Sequence, residues 1–184
     1  MELLKSIKER YSPRAFDSRD VEPEKIEALY EAARWAPSSY NGQPWRFIYA
    51  TKENSELWDK LFDALGEFNQ IWVKNAPMLI LTVARKTYEH NKQAYAHNWH
   101  DVGLAVGNMM NQATEMGLFM HQMGGFDNEK VAKNINLPDE FETVSMIAVG
   151  YKGDISVLPE DFQKMENQPR TRKAIEDIVF TKAF

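Results

Sequence analysis

The run Met78-Leu79-Ile80-Leu81-Thr82-Val83-Ala84, opened by Pro77, is apolar at nearly every position. A strand with one wet face alternates apolar and polar residues, whereas a strand covered on both faces has no need to. A run this short, bounded by a proline, suits a buried strand. A chain carrying it must place a sheet in its interior with a layer against each side. Three further strands are expected at Trp45–Ala50, Leu118–His121 and Thr143–Tyr151.

Helical spacing fills the intervals. Leu3, Leu4 and Ile7 mark a short helix over 2–9. Ile26, Leu29, Tyr30 and Ala33 form one stripe over 23–35, with Pro23 in the first turn, where a missing N–H costs nothing. Leu57, Leu61, Phe62 and Leu65 give a helix ended near Gly66, and Asp127 is placed to cap another running to about Asn134. Residues 68–72 read as an irregular connection, and 85–93 as a loop or a frayed helix start. Strands separated by helices argue for an α+β or α/β domain with one sheet covered by helices.

The longest helix is expected over Gln93–Met116. Val102, Ala105, Val106, Met109, Met110, Ala113 and Met116 occupy more than one of its faces, so it is buried on most sides. Gly103 and Gly107 leave one side narrow enough for another backbone to approach. From Gly153 the pattern weakens, and Ile175, Ile178 and Val179 have nothing nearby to rest on. The chain therefore reads as one domain over 1–184, with 153–184 as an extended C-terminal arm. An over-apolar helix and an arm without its own core point to an obligate homodimer.

The net charge of −5 argues against a nucleic-acid binder. The absence of cysteine removes disulfides, thiol nucleophiles and thiolate metal sites, and suits a cytoplasmic location. The N-terminal residues lack the apolar stretch of a signal peptide. No apolar run is long enough to cross a membrane.

Dinucleotide-binding, P-loop and nucleophile-elbow motifs are absent. His97-Asn98-Trp99-His100-Asp101 offers two imidazoles and a carboxylate, but no fourth ligand stands out, and exposed helical histidines are the plainer reading. A more coherent set is dispersed. Arg10, Ser12 and Arg14 flank a turn forced by Pro13. Pro37, Ser38, Ser39, Asn41 and Gln43 lie in a polar loop between helix and strand. Asn69, the Gly124-Gly125 turn, and Arg170 with Arg172 complete the set. Arginines and backbone N–H groups hold phosphate, and amides suit the rim of a flat heteroaromatic ring. These groups fit flavin mononucleotide (FMN), although spacing leaves open whether they meet.

Three segments, Arg10-Tyr11-Ser12-Pro13-Arg14-Ala15-Phe16, Ala36-Pro37-Ser38-Ser39-Tyr40-Asn41-Gly42-Gln43-Pro44-Trp45-Arg46-Phe47 and Met123-Gly124-Gly125-Phe126-Asp127, occur in the order seen in the nitroreductase family of FMN-dependent oxidoreductases, which the chain resembles throughout. The resemblance implies a three-layer α+β fold with a central, mostly antiparallel sheet flanked by helices. It also implies a C-terminal arm exchanged in a homodimer, with FMN at the subunit interface. By position, Arg10 is expected on the phosphate, with Arg170 and Arg172 near it. Ser12 belongs to the same segment, and Arg14 and Asn69 are expected near the pyrimidine edge of the flavin. The backbone of Gly124 and Gly125 is expected at N5 and O4. Pro37, Ser38, Ser39 and Asn41 are expected to come from the other subunit.

The implied activity is ping-pong hydride transfer from NADH or NADPH, through the flavin, to a small-molecule acceptor such as a nitroaromatic or quinone. No indispensable protein acid or base is expected. Specialised enzymes on the same fold, such as dehydrogenases, dehalogenases and flavin-consuming enzymes, and non-catalytic flavin binders are the alternatives. Many relatives carry an acidic residue or proline where this chain has Gly124. Phe68, Trp72, Tyr88, Tyr95 and Trp99 are candidates either for the open face of the ring or for the core.

Overall fold

The fold is described from a computed structural model covering residues 2–183; Met1 and Phe184, the ends of the expected domain, lie outside the described residues. The run at 78–84 is strand β2, Met78–Arg85, buried along its length except at Arg85. Around it lie β1 (Trp45–Thr51), β3 (Phe119–Met123) and β4 (Phe141–Gly150) in the order β1-β2-β4-β3, every neighbouring pair antiparallel. Leu79, Leu81 and Val83 enter one core, while Met78, Ile80 and Ala84 enter the other. This is the period-2 geometry of a strand wetted on neither side. The register with β4 shifts between Thr82 and Val83. The buried Thr82 hydroxyl there accepts the Ser145 N–H at 3.0 Å and donates to the Ser145 carbonyl at 3.1 Å, so both backbone groups of Ser145 keep a partner at the irregularity.

One outer layer contains α3 (Ser55–Phe62), α4 (Glu67–Val73), α6 (Asn128–Asn134) and α7 (Glu160–Glu166), which bury Trp58, Leu61, Trp72, Val73, Val131 and Phe162. The other contains α2 (Pro23–Arg34) and the long α5 (Asn98–Glu115), which bury Ile26, Leu29, Ala33, Val102, Val106 and Met109 among others. The short α1 (Lys5–Glu9) lies against α5. The result is a three-layer α+β fold.

Several expected boundaries move. Residues 68–72 belong to a helix rather than an irregular connection. The Gly66 carbonyl accepts the Asn69 and Gln70 N–H groups at 2.8 and 3.1 Å, and Trp72 and Val73 then reach the core. Two turns are too few for a helical period to stand out in sequence. The long helix begins at Asn98, not Gln93. Tyr88 donates its N–H to the Gln93 carbonyl at 2.9 Å, Thr87 bridges Ala94, and Lys92 takes φ +60°, which folds 86–95 into a tight reversal.

Apart from the chain neighbours and the nearby backbone of α5 itself, no described atom lies within 4 Å of where a Cβ would stand on Gly103 or Gly107, so the narrow side of α5 faces open space. The C-terminal part divides in two. Leu158 and Phe162 are core residues, which ties 153–166 to the body, whereas every residue from 167 to 183 is exposed. Ile175, Ile178 and Val179 are 71, 61 and 58 % exposed, and Leu3, Leu4 and Ile7 also face outward.

Candidate functional site

The exposed C-terminal segment returns to the start of the chain. Arg170 donates from Nη1 to the Arg10 carbonyl at 2.6 Å and from Nη2 to the Lys8 carbonyl at 3.1 Å. Arg10 in turn donates to the Ser12 hydroxyl at 3.5 Å. Burial, and then the nearby Arg172 and Arg170 guanidiniums, push Arg10 below its ordinary pKa. None of these three arginines makes an ion pair among the described residues. Like charges gathered without a counter-ion cost free energy that an incoming anion returns. A cluster of guanidinium forks suits phosphate oxygens in particular.

The turn that follows is held from beneath. His121 on β3 donates from Nδ1 to the Pro13 carbonyl at 2.8 Å, and its ring centroid lies 4.5 Å from that of Trp72. Burial pushes the imidazole down to about 4; the Pro13 hydrogen bond opposes this and the Arg14 charge adds to it. The folded value thus lies below the ordinary 6.5, so the unfolded chain binds the extra proton between the two. His121 then contributes stability that is fully present above pH 6.5 and lost as pH falls towards 4, worth at most about 3 kcal/mol. In urea titrations from pH 7 to pH 4, His121→Gln is expected to flatten this part of the stability curve.

Arg14 presents its N–H and its Nη1 to the same oxygen, Oε1 of Glu166, at 3.0 and 3.3 Å. The Arg14 Nε is buried without a hydrogen-bond partner, which leaves the guanidinium with unused donor capacity. Three residues beyond His121, β3 runs into the Gly124-Gly125 turn. There Asn69 donates from Nδ2 to the Gly125 carbonyl at 3.0 Å, and Gly66 donates its N–H to the same oxygen, also at 3.0 Å. A Cβ on Gly125 would stand 3.0 Å from the Asn69 amide nitrogen, and one on Gly124 would meet nothing. The N–H groups of both glycines donate to no other described residue. Asn69 and the turn therefore meet, as do Arg10 and Arg170, with Arg172 near enough for its charge to act on Arg10.

The polar loop is organised elsewhere, against the start of α5. Tyr40, Asn41 and Gln43 all take left-handed backbone, φ +52°, +53° and +43°. Such conformations cost energy in residues with side chains and persist only where surroundings impose them. Here Asp101, 3 % exposed, accepts the Ser39 N–H at 2.9 Å and the Tyr95 hydroxyl at 2.8 Å. Tyr88 donates to the Ser39 hydroxyl at 2.9 Å, and the Ser38 hydroxyl accepts the Gln43 N–H at 3.0 Å. Burial works to raise the Asp101 carboxyl, but His100, the Ser39 N–H and the Tyr95 hydroxyl outweigh it and hold it below its ordinary value. The described contacts of Pro37, Ser38, Ser39 and Asn41 stay within this corner and do not reach the arginine cluster. Pro37, Ser38 and Ser39 instead line an open cavity of about 510 Å³ with His97, His100, Asp101 and Leu104.

Among the aromatic candidates, Trp72 and Tyr95 are core residues, 0 and 3 % exposed, while Phe68 and Trp99 are about half exposed. His100 donates from Nδ1 to the Asp101 carboxylate at 3.0 Å, and no three metal-ligating side chains gather among the described residues. His121 and Glu166 are not among the expected site residues; Asp101 and Tyr95 are expected only as a possible metal ligand and as a ring-face or core aromatic, not as the pair that holds the loop.

The chain is a three-layer α+β domain in which three arginines make no ion pair and a glycine turn keeps its N–H groups unpaired among the described residues. Residues 7–151 match the model of the nitroreductase family, and the chain belongs to that family. It is 29 % identical over 157 residues to a putative NADH dehydrogenase/NAD(P)H nitroreductase of Archaeoglobus fulgidus, covering 83 % of this chain and 87 % of the relative. A crystal structure described as an oxidoreductase containing FMN superimposes with a TM-score of 0.93 at 32 % identity, over 100 % of this chain and 93 % of the other. A nitroreductase family protein from Clostridium difficile 630 superimposes with a TM-score of 0.77 at 29 % identity, over the whole of both chains.

Proposed function

We propose that the protein is an FMN-dependent oxidoreductase that takes hydride from NADH or NADPH and passes it to nitroaromatics, quinones or similar electron-poor small molecules. The observation that carries this reading is the cluster of Arg10, Arg170 and Arg172 without a carboxylate partner among the described residues. A phosphate monoester supplies the missing charge.

The remaining groups fit the rest of FMN. Arg14 keeps a buried Nε unsatisfied, Asn69 is fixed by the Gly125 carbonyl, and the Gly124 and Gly125 N–H groups are free to donate. Bound flavin supplies reversible hydride chemistry. The chain supplies position and charge. Arg10, Arg170 and Arg172 hold the phosphate, with Ser12 in the same segment. Arg14 and Asn69 meet the polar edge of the ring, where a guanidinium favours the charge that builds up on reduction. The glycine turn orients the opposite edge.

In this reading Pro37, Ser38, Ser39 and Asn41 act in trans, closing the site of a second copy. A loop held by Asp101, with no described contact to its own chain's Arg10, Arg170 or Arg172, supports that arrangement. So does the exposed segment 167–183, whose Ile175, Ile178 and Val179 want a second surface. The acceptor is a small molecule: the net charge disfavours nucleic acid, and no helix among the described residues is long and apolar enough to cross a membrane.

Steady-state oxidation of NADH and NADPH with a quinone or a nitroaromatic tests the proposal. Acceptor-dependent turnover with one or both nicotinamides is expected. An FMN-loaded protein that oxidises neither would be a flavin binder rather than an enzyme of this kind.

A further inference from the structure

The pairing of Arg14 with Glu166 reaches across 152 positions of sequence. Glu166 is the last residue of α7, and its side chain is 5 % exposed against 24 % for Arg14. One carboxylate oxygen takes both the backbone N–H and Nη1 of Arg14. The next residues of the chain bring in Arg170 and Arg172. The segment that completes the arginine cluster therefore also delivers a buried carboxylate to Arg14, which stands apart from that cluster.

Two roles are open to such a carboxylate. It can be an anchor that fixes the Arg14 backbone and side chain, in which case any acceptor of the same shape will serve. It can also act electrostatically. In a partly dry site the field of Glu166 is weakly screened, and it offsets much of the positive charge that Arg14 presents to its surroundings. Charge near the flavin ring is one of the means by which a protein sets the cofactor's potential.

We propose that Glu166 is a positioning residue that lowers the reduction potential of the flavin by partly neutralising Arg14. The inference rests on the reading that FMN binds here with Arg14 at its pyrimidine edge. A guanidinium alone would favour the reduced, more negative cofactor. With Glu166 behind it, Arg14 still donates hydrogen bonds but stabilises the reduced form less. The bound cofactor is then a stronger donor towards electron-poor acceptors.

The test is the midpoint potential of the FMN-loaded protein by dye equilibration, with thermal unfolding of the apo-protein alongside. Glu166→Gln keeps the acceptor oxygen and the volume and removes the charge. It is expected to favour reduced over oxidised FMN about tenfold more than the parent, a rise of about 30 mV for a two-electron couple. Glu166→Asp, which keeps the charge, should stay near the parent value. If Glu166→Gln fails to fold, Arg14→Gln and the double variant Arg14→Gln/Glu166→Gln carry the same comparison, and the double variant should have the higher potential.

An unchanged potential in a yellow, folded Glu166→Gln protein would overturn the proposal, as would equal potentials in the Arg14→Gln pair. Equal losses of apo-protein stability in the Gln and Asp variants, without a shift in potential, would leave Glu166 an anchor only. A parent protein that binds no FMN would instead bring down the functional reading on which the proposal stands.

Discussion

Replacing Arg10 by Ala weakens FMN binding about 10- to 100-fold and leaves the apo-protein no less stable than the parent. The loss follows from the worth of a charge-assisted hydrogen bond, about 1.5–3 kcal/mol, at 1.4 kcal/mol per tenfold in affinity. The second half follows from what Arg10 does without ligand. Its side chain makes one long hydrogen bond, to the Ser12 hydroxyl at 3.5 Å, and suffers burial and the charges of Arg172 and Arg170. Its carbonyl, which accepts from Arg170, survives in the Ala variant. Calorimetric titration with FMN and thermal melts of the apo-protein separate the two effects. A variant that melts early yet binds FMN normally would make Arg10 a structural residue.

Asp101→Ala is expected to produce the opposite signature, with the apo-protein destabilised and the polar loop released. Its removal takes the acceptor from the half-buried Ser39 N–H, at about 1–3 kcal/mol for an unmet buried group, and leaves the Tyr95 hydroxyl only the Ser39 carbonyl at 3.1 Å. The left-handed backbone of Tyr40, Asn41 and Gln43 then loses its main restraint. Protease cleavage within 38–43 should appear in the variant and be absent from the parent. Asp101→Asn, which keeps one acceptor oxygen, should lose less.

The pH dependence has a definite sign. Because the folded carboxyl is held below its ordinary 3.8, Asp101 contributes stability above that value and loses it as pH falls through the lower folded value. Both variants should lack that acid limb in urea titrations. If the loop closes a partner's site, Asp101→Ala also sheds FMN from a site none of whose arginines has changed.

Those two residues differ in how visible they are beforehand. Arg10 announces itself, since three segments in a fixed order, one with two arginines, one a polar loop and one a glycine pair, carry the family resemblance, and β2 declares a sheet covered on both sides. The partners of these groups are another matter. Asp101 follows His100 in a stretch that reads as an exposed helical surface, and only the fold of 86–95 brings Tyr95 against it. Glu166 lies in a short charged helix whose Phe162 is its one core residue. Nothing local distinguishes Glu166 from Glu160 at the exposed start of the same helix. Trp72 has the composition of a pocket lining, but α4 turns it into the core.

The visible spectrum of the protein as purified, with the mass of whatever chromophore it releases on denaturation, is the measurement to make. A yellow protein releasing one FMN per chain is the predicted result. A colourless protein that also takes up no added FMN would contradict it.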